Sequence, residues 1–546
     1  MAMIKVNKNS GYRWFKSDQI CFKGYLISVE DGKIFKDNSA IFELKKIKNF
    51  DDFCQFLKTI DGNFATIIEK EDHIWAAVDI ARSIPIFYSI DGEYVSDSAE
   101  DIRMQLKIPA ENVDADNYLE LVANDYLFGN KTVYSQILQL DLGQAVQINK
   151  RTGEIKTLYY FQHLVPEILS FDIDKIKSML TDVSIRTFQR LKDVIGNRPV
   201  ALSMSGGYDS RFVGCMLKKV GVEDVSCYTY GKSDSFEVKQ SKKNAEALGY
   251  RWICVEHTDE ETYRALDETG VRYIDSYDGH DFTAYMQNFP SVRKLHEDGW
   301  FKPGTVFLTG LCGDMPTGNY IELYDPQKKY NVSTAVERVY NLIFTRYKMP
   351  ESFKEKWIAD IEKTISNLPI KITNYESWSK VVDCIYTGTC HVHWFMHMNT
   401  VHSFFGYEWL LPYWSIELLK VWYSIPAEMK RGQALYEDWL LNDICAEYGL
   451  GTKKYRATYS RSPFLRKIIY KVGSFISFVY LNIGIPFKRK YDYNNFAPFE
   501  LRLFKNLKCK TTVSYKKAGM VHLVNQYCLQ KRYGVANMKK AIKKIK

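Results

Sequence analysis

At 546 residues the chain is long enough for two or more hydrophobic cores. Its 46% apolar and 25% charged residues place it among soluble globular proteins and exclude a fibrous or disordered chain. The net charge of +9 draws on Lys539-Lys540-Ala541-Ile542-Lys543-Lys544-Ile545-Lys546, which reads as a solvated helix end rather than a nucleic-acid patch.

Eleven cysteines are scattered without a CxxC pair, and Met1 to Ser17 is polar. The expectation is a cytoplasmic protein with reduced thiols and no secretory leader. Over residues 1–160 the pattern is one of short strands: Ile20 to Ile27, Phe64 to Ile68, Ile74 to Val78, Ile86 to Tyr88 and Ala145 to Ile148. Asp61-Gly62, Asp91-Gly92 and Thr152-Gly153 supply turns between them. This predicts an antiparallel β-rich domain.

The character changes over 161–460. Pro199 to Met204 is a short apolar run that reads as a buried strand, and Arg211 to Leu217 reads as the start of a helix. Between them stands Ser205-Gly206-Gly207-Tyr208-Asp209-Ser210. Two glycines let backbone N–H groups turn toward one point, and a helix N-terminus adds partial positive charge there. Serine hydroxyls can donate to phosphate oxygens, and Asp209 can hold a hard cation such as Mg²⁺. The segment therefore reads as a phosphate cradle, with ATP the first ligand to consider. It is neither GxxxxGK[ST] nor GxGxxG, and its plain alternative is a strand-to-helix turn rich in small residues. A second strand, Val225 to Gly231, a helix from Glu237 to Leu248 stopping at Gly249, and a third strand, Trp252 to Glu256, follow. This β-α-β-α-β order predicts a doubly wound parallel sheet with its crevice at the strand C-termini.

Further on, Cys390, His391, His393, His397 and His402 cluster in the chain. His393 and His397 are one helical turn apart, but no third ligand stands at a standard spacing, so zinc is disfavoured. They read either as substrate contacts or as a polar stripe on a packed helix. Val472 to Phe487 is apolar with basic flanks. It is short of the about 20 residues a membrane span needs. It reads as a buried core helix, or as an interfacial segment touching an anionic membrane surface from the cytoplasmic side. Residues 461–546 are otherwise expected to form a basic helical extension.

The Ser205–Ser210 hexapeptide resembles the SGGxDS loop of the ATP pyrophosphatase superfamily. Three further stretches narrow the resemblance to the asparagine synthetase and β-lactam synthetase family. They are Glu237 near the start of its helix, Leu308-Thr309-Gly310-Leu311-Cys312-Gly313-Asp314-Met315-Pro316-Thr317-Gly318-Asn319-Tyr320, which is similar to LSGEGSDEVFGGY, and Gly406 to Tyr413, which is similar to GxExRxPF. The resemblance implies ATP and Mg²⁺, with Asp209 and Asp314 as the metal-binding, catalytic aspartates. It implies that Ser203, Ser205, Gly206, Gly207, Ser210, Tyr230, Thr309 and Gly310 contact the nucleotide or its pyrophosphate. A lysine that stabilises the adenylating transition state falls nearest Lys454. Substrate-side candidates are His393, His397 and Glu408.

The chain departs from the pattern in three places. Leu311 stands where the family has a proton-handling glutamate or tyrosine, and Leu410 and Ser415 replace the arginine and aspartate of ExRxPFLD. Gly62-Asn63-Phe64-Ala65, Asp79 and Pro85 to Tyr88 resemble part of a class II glutamine amidotransferase domain. The N-terminal cysteine nucleophile of that domain is missing, because the chain opens Met1-Ala2-Met3 and its first cysteine, Cys21, sits inside a strand. The expectation is a truncated domain without glutaminase activity ahead of an amide-forming ligase. That ligase would adenylate a small-molecule carboxylate for attack by ammonia or an amine, the donor coming free or from another protein. A sugar acid in surface polysaccharide or natural-product assembly is the expected substrate, by analogy. An intramolecular cyclase of β-lactam or lasso-peptide type and a non-catalytic nucleotide-binding protein are the alternatives.

Overall fold

The computed structural model describes residues 3–169, 171–388, 393, 396–452, 472, 476, 479–486, 494–510 and 520–545. The N-terminal region carries two sheets. In the larger, eight-stranded one, the path runs Ile155–Tyr159, Gln144–Asn149, His73–Val78, Phe64–Glu69, Ile20–Ser28, Trp14–Lys16, all antiparallel. Two short strands, Ile34–Lys36 and Ile60–Asp61, also pair with Ile20–Ser28. The smaller sheet orders Met3–Lys5, Tyr94–Ser96, Phe87–Ser89 and Ile137–Gln139, with only the first pair parallel. Apolar side chains of both, such as Phe22, Ile67, Val146, Tyr88 and Val95, share one core. The apolar runs that marked Phe64–Glu69 and His73–Val78 in the sequence are strands buried almost throughout.

The second sheet system is parallel and five-stranded, ordered Arg251–Glu256, Val225–Gly231, Val200–Ser203, Val306–Leu308, Glu408–Leu410. The first three strands in the chain step outward in one direction. The chain then returns to add Val306–Leu308 on the other side of Val200–Ser203. The order therefore reverses between these two neighbours, and such a switch point opens a crevice beyond the strand C-termini. Ser205–Ser210 leaves one of the two strands, and Thr309–Asp314 leaves the other.

The expected helices form. Tyr208–Lys219 begins at Asp209's own turn. Phe236–Ala247 is capped by Ser235, whose side chain accepts from Val238 N, and ends before Gly249 at φ +71°. The strands Val306–Leu308 and Glu408–Leu410 were not anticipated; at three residues each they are too short to carry a periodicity.

The two regions are joined by buried polar contacts. Tyr12 Oη and Asn63 Nδ2 donate to Trp409 O at 2.8 and 3.0 Å. They cap the outer face of the edge strand, which would otherwise present open backbone groups. Ile416 N donates to Asp61 Oδ2 at 3.0 Å. Arg82 Nη2 meets Asp281 Oδ2 at 3.1 Å with both side chains almost fully buried, and Tyr277 Oη donates to Asp281 Oδ1 at 2.6 Å. Burial pushes the Asp281 carboxyl up, but the Arg82 guanidinium and the Tyr277 hydroxyl hold it below its ordinary value.

Helices Met520–Tyr533 and Val535–Lys544 pack back onto the helix Ala115–Asn124. Asn525 Nδ2 donates to Leu121 O at 3.1 Å. In the last helix Met538 and Ala541 are buried while Lys539, Lys540, Lys543 and Lys544 face solvent, which accounts for the basic run as one face of a helix. Of the apolar stretch 472–487, Val472, Ile483 and Ile485 are exposed and Leu481 is buried, so these residues do not form a fully buried core helix. Among the described residues no helix is long and apolar enough to cross a membrane.

Replacing Arg82 by methionine leaves the Asp281 charge buried without its cation. Loss of one partner of a buried pair costs about 3–5 kcal/mol, so the midpoint of urea unfolding is expected to fall sharply. Because the folded pKa of Asp281 is depressed, its contribution is present above about pH 4 and is lost as pH falls through the folded value. The deficit of the variant should therefore narrow on acidification, and a deficit constant from pH 7 to pH 3 would contradict this account.

Candidate active site

The crevice at the switch point is a cavity of about 800 Å³. Ser203, Ser205, Gly207, Tyr208, Asp209 and Ser210 line it from one strand end, and Thr309, Gly310, Leu311 and Asp314 from the next. Tyr230 lines it from the third strand, stacked at 5.2 Å on His257.

The turn is closed by its own hydroxyls. Ser205 N donates to Ser210 Oγ at 3.0 Å, the two serine oxygens lie 3.0 Å apart, and Gly207 N donates to Ser205 Oγ at 3.0 Å. Glu237 Oε2 accepts from Gly206 N at 3.2 Å, which ties the turn to the next helix. A Cβ on Gly206 would stand 2.9 Å from that same oxygen.

Asp314 reaches the cavity because the 309–314 backbone lies directly on the start of helix Tyr208–Lys219. A Cβ on Gly310 would be 2.7 Å from Ser210 N and 2.8 Å from Asp209 C. One on Gly313 would be 2.8 Å from Asp209 Cγ and 2.6 Å from the Tyr413 ring. Only glycine permits the approach. Between them Cys312 adopts φ +64°, a conformation that the glycine at this point of the LSGEGSDEVFGGY pattern takes freely and that costs other residues about 1 kcal/mol. Farther on, Gly318 at φ +95° packs against Lys430 O, and Gly432 N donates to Gly318 O at 3.1 Å.

Asp209 is held from below. Tyr436 Oη donates to Asp209 Oδ1 at 3.0 Å, and the Tyr413 hydroxyl lies 2.7 Å from that of Tyr436 and 3.4 Å from Asp209 O. Burial, reinforced by the charge of Asp209, raises both phenols well above their ordinary value, so they remain neutral donors. Asn319 Nδ2 donates to Asp314 Oδ2 at 3.2 Å. Two oriented carboxylates on one wall, beside an N–H-rich turn, suit a divalent cation bridging to phosphate oxygens. Among the described residues no group of three or more His, Cys, Asp or Glu side chains could hold a metal ion without such a ligand.

The three substrate-side candidates lie elsewhere. His393 Nε2 sits 3.3 Å from Asp141 Oδ1 in the N-terminal region. His397 stacks on Phe282 at 3.5 Å and lines a separate cavity of about 290 Å³ with Lys23, Arg82 and Asp97. Glu408 begins a parallel strand, so it stands at the end opposite the crevice, paired with Arg198 at 2.5 Å. Leu410 is buried in that strand. Lys454, with Lys453 and Arg456, lies outside the described residues. The sequence reading missed His402, Tyr436, Gln287, Asn288 and Gln433. His402, Gln287, Asn288 and Gln433 line the ATP-sized cavity, and Tyr436 supports it from beneath.

Residues 192–448 match the family model for asparagine synthase. Over this segment the chain is similar to the asparagine synthase family. No curated protein matches it. Among solved structures it is similar to a glutamine phosphoribosylpyrophosphate amidotransferase from B. subtilis complexed with ADP and GMP, at 12% identity and a TM-score of 0.18, covering 55% of this chain and 63% of that one. It is also similar to a structure described as the allosteric regulatory enzyme of purine biosynthesis, at 12% identity and a TM-score of 0.16, covering 62% and 60%. The chain thus spans about three-fifths of the length of each. The asparagine synthase segment includes both loops of the crevice and the tyrosines beneath them.

Two substitutions test this geometry. Gly313→Ala forces a Cβ between Asp209 and Tyr413, so a loss of about 1–3 kcal/mol is expected, read as a lower unfolding temperature. Tyr436→Phe removes a hydrogen bond to a carboxylate, worth about 1.5–3 kcal/mol. The Mg²⁺ concentration needed for half-maximal ATP binding should rise about tenfold or more; an unchanged requirement would remove Tyr436 from the support of Asp209.

Proposed function

We propose that this chain is an amide-forming ligase that uses ATP to adenylate the carboxylate of a sugar acid or a similar polyhydroxylated acid, releasing pyrophosphate. Ammonia or an amine then attacks the activated carbonyl and AMP departs. The observation that carries this reading is the delivery of Asp209 and Asp314 to one wall of the cavity that the Ser205–Ser210 turn enters.

Each group has a role that follows from its placement. Ser205, Gly207 and Ser210 hold the pyrophosphate end at the helix N-terminus. Asp209 and Asp314 would hold Mg²⁺, which neutralises the charge of the leaving pyrophosphate. Ser203, Tyr230, Thr309 and Gly310 border the rest of the nucleotide. Fixing the carboxylate beside the α-phosphate supplies most of the rate by orientation. The remaining wall is neutral: Gln287, Asn288, Asn319 and Gln433 offer amides, and Tyr208 and Tyr285 offer hydroxyls. Among the described residues lining the cavity there is no lysine or arginine. Side-chain amides both donate and accept, which matches sugar hydroxyls and supports a polyhydroxylated acid over aspartate.

In the N-terminal region, read as an amidotransferase-like domain, burial pushes up the thiols of both described cysteines, Cys21 and Cys54, which disfavours the thiolate. Lys23 is buried, donates to Lys8 O at 2.7 Å and is pushed down to about 8 by burial. Gly24 at φ +101° lies so close to Asn63 O that any Cβ would collide with it. These groups serve as structural ties.

Two measurements check the reading. Exchange of labelled pyrophosphate into ATP should depend on an added carboxylate, tried as L-aspartate, D-glucuronate and D-galacturonate, and should vanish in Asp209→Asn. Absence of exchange with every acid would favour a nucleotide-binding protein without catalysis. Incubation with glutamine should give no glutamate, and steady glutamate release would show that another nucleophile serves the N-terminal domain.

A further inference from the structure

Amide formation contains a step that Leu311, at the proton-handling position of the 309–314 turn, has no group to perform. When the amine attacks, an N–C bond forms and the C–O bond to AMP breaks, its electron pair leaving on the phosphate. One proton of the amine must be accepted. The turn offers Leu311 on the cavity wall, an alkyl side chain that accepts nothing.

His402 lies on the wall of the same cavity, and among the described residues it is the only histidine there. It follows Met398, also on the wall, by one helical turn. Its ring is 1% exposed and stacks at 4.0 Å on Phe307. The chain that carries Phe307 continues into the turn: Thr309 Oγ1 lies 3.5 Å from Asn399 Oδ1, and Leu311 comes two residues later. The histidine is therefore packed on the strand whose extension bears the leucine.

Two polar atoms of this wall are buried without a hydrogen-bond partner among the described residues, His402 Nδ1 and Asn288 Oδ1. Asn288 Nδ2 donates to Met398 O at 3.2 Å, so its amide is fixed one helical turn from His402 with an acceptor to spare. Burial alone pulls the His402 ring down to about 3, so it is neutral and its lone pair is free. Phosphate anions in the cavity act against that shift and make the ring more basic when substrate is present.

We propose that His402 accepts the proton of the attacking amine. This rests on the reading of the cavity as an adenylating site, and the two half-reactions keep the claims apart. The acid is whichever of L-aspartate, D-glucuronate and D-galacturonate supports pyrophosphate exchange in the wild-type protein; the nucleophile is ammonium chloride or, separately, hydroxylamine. Hydroxylamine captures an activated acyl group with little help from a base. His402→Phe preserves the stack on Phe307, and His402→Gln preserves a polar side chain. Both should keep exchange and hydroxamate formation within about twofold of wild type, while amide formation from ammonia falls by about 100-fold or more. Ammonia-dependent amide formation near the wild-type rate in both variants would overturn the proposal, as would equal losses of exchange and amide formation in both, which mark a structural role. Absence of exchange in the wild-type protein would instead overturn the adenylation reading itself.

Discussion

The 309–314 backbone rests on the first turn of helix Tyr208–Lys219 with no side chain between them, and the wall that carries Asp209 and Asp314 follows from that approach. Asp209 comes from one strand end and Asp314 from the neighbouring one. Strands in a sheet stand about 4.8 Å apart, so two carboxylates leaving adjacent strands can share a cation only if their turns fold toward each other. Gly310 and Gly313 allow that. The approach also buries Tyr413 and Tyr436, whose hydroxyls must find partners; they find each other and Asp209. The requirement to satisfy the tyrosines and the requirement to orient the carboxylate are met by the same hydrogen bonds.

A second constraint ties the N-terminal region to the parallel sheet. The strand Glu408–Leu410 is the open edge of the parallel sheet, and its backbone lies against the N-terminal region rather than solvent. Tyr12 and Asn63 close it through Trp409 O, Asp61 fixes the helix that follows it, and Arg82 and Asp281 lock the junction nearby. Asn63, in the Gly62–Ala65 stretch that resembles part of an amidotransferase domain, has its side-chain amide committed to a main-chain carbonyl. Removing the domain would expose an edge, unpair a buried aspartate and loosen the strand just before the Pro412-Tyr413 segment that supports Asp209.

How much of this could be read beforehand depended on the physical length of each signal. The Ser205–Ser210 turn was legible because strand, glycine turn and helix start are adjacent in the chain and each has its own pattern. The antiparallel region was legible through strands of five or six residues, long enough to stand out as apolar runs. The three-residue strands are too short for that, so the reversal of strand order that creates the crevice was hidden. The histidines show a different limit. A regular helix through residues 390–402 would place His393 and His397 on one face, but Met396–Asn399 is a 3₁₀ turn and Thr400–Phe404 is α-helical. His402 stands five residues after His397, about 140° around even a regular helix, and it is His402 that lines the cavity. Glu408 was misplaced because a motif gives a residue's neighbours but not which end of a parallel strand it occupies.

The site divides along a line set by what its ligands have in common. In the proposed reaction, triphosphate and its cation present the same charges whichever acid is activated, so the cradle, its two aspartates and the glycines between them need not change with the acid. The acid and the amine differ in shape and in hydrogen bonding. The residues that meet them can change without disturbing the phosphate end, because they come from different elements: the loop at Tyr285 to Asn288, the turn at Met398 to His402, and Gly432-Gln433. In this chain they form a neutral wall of amides and tyrosine hydroxyls. On the proposed reading, proton transfer is separable in the same way, since the acceptor must reach the amine but need not arise from the turn that carries Asp314. A leucine in that turn is compatible with catalysis when an imidazole packed on the preceding strand reaches the same space.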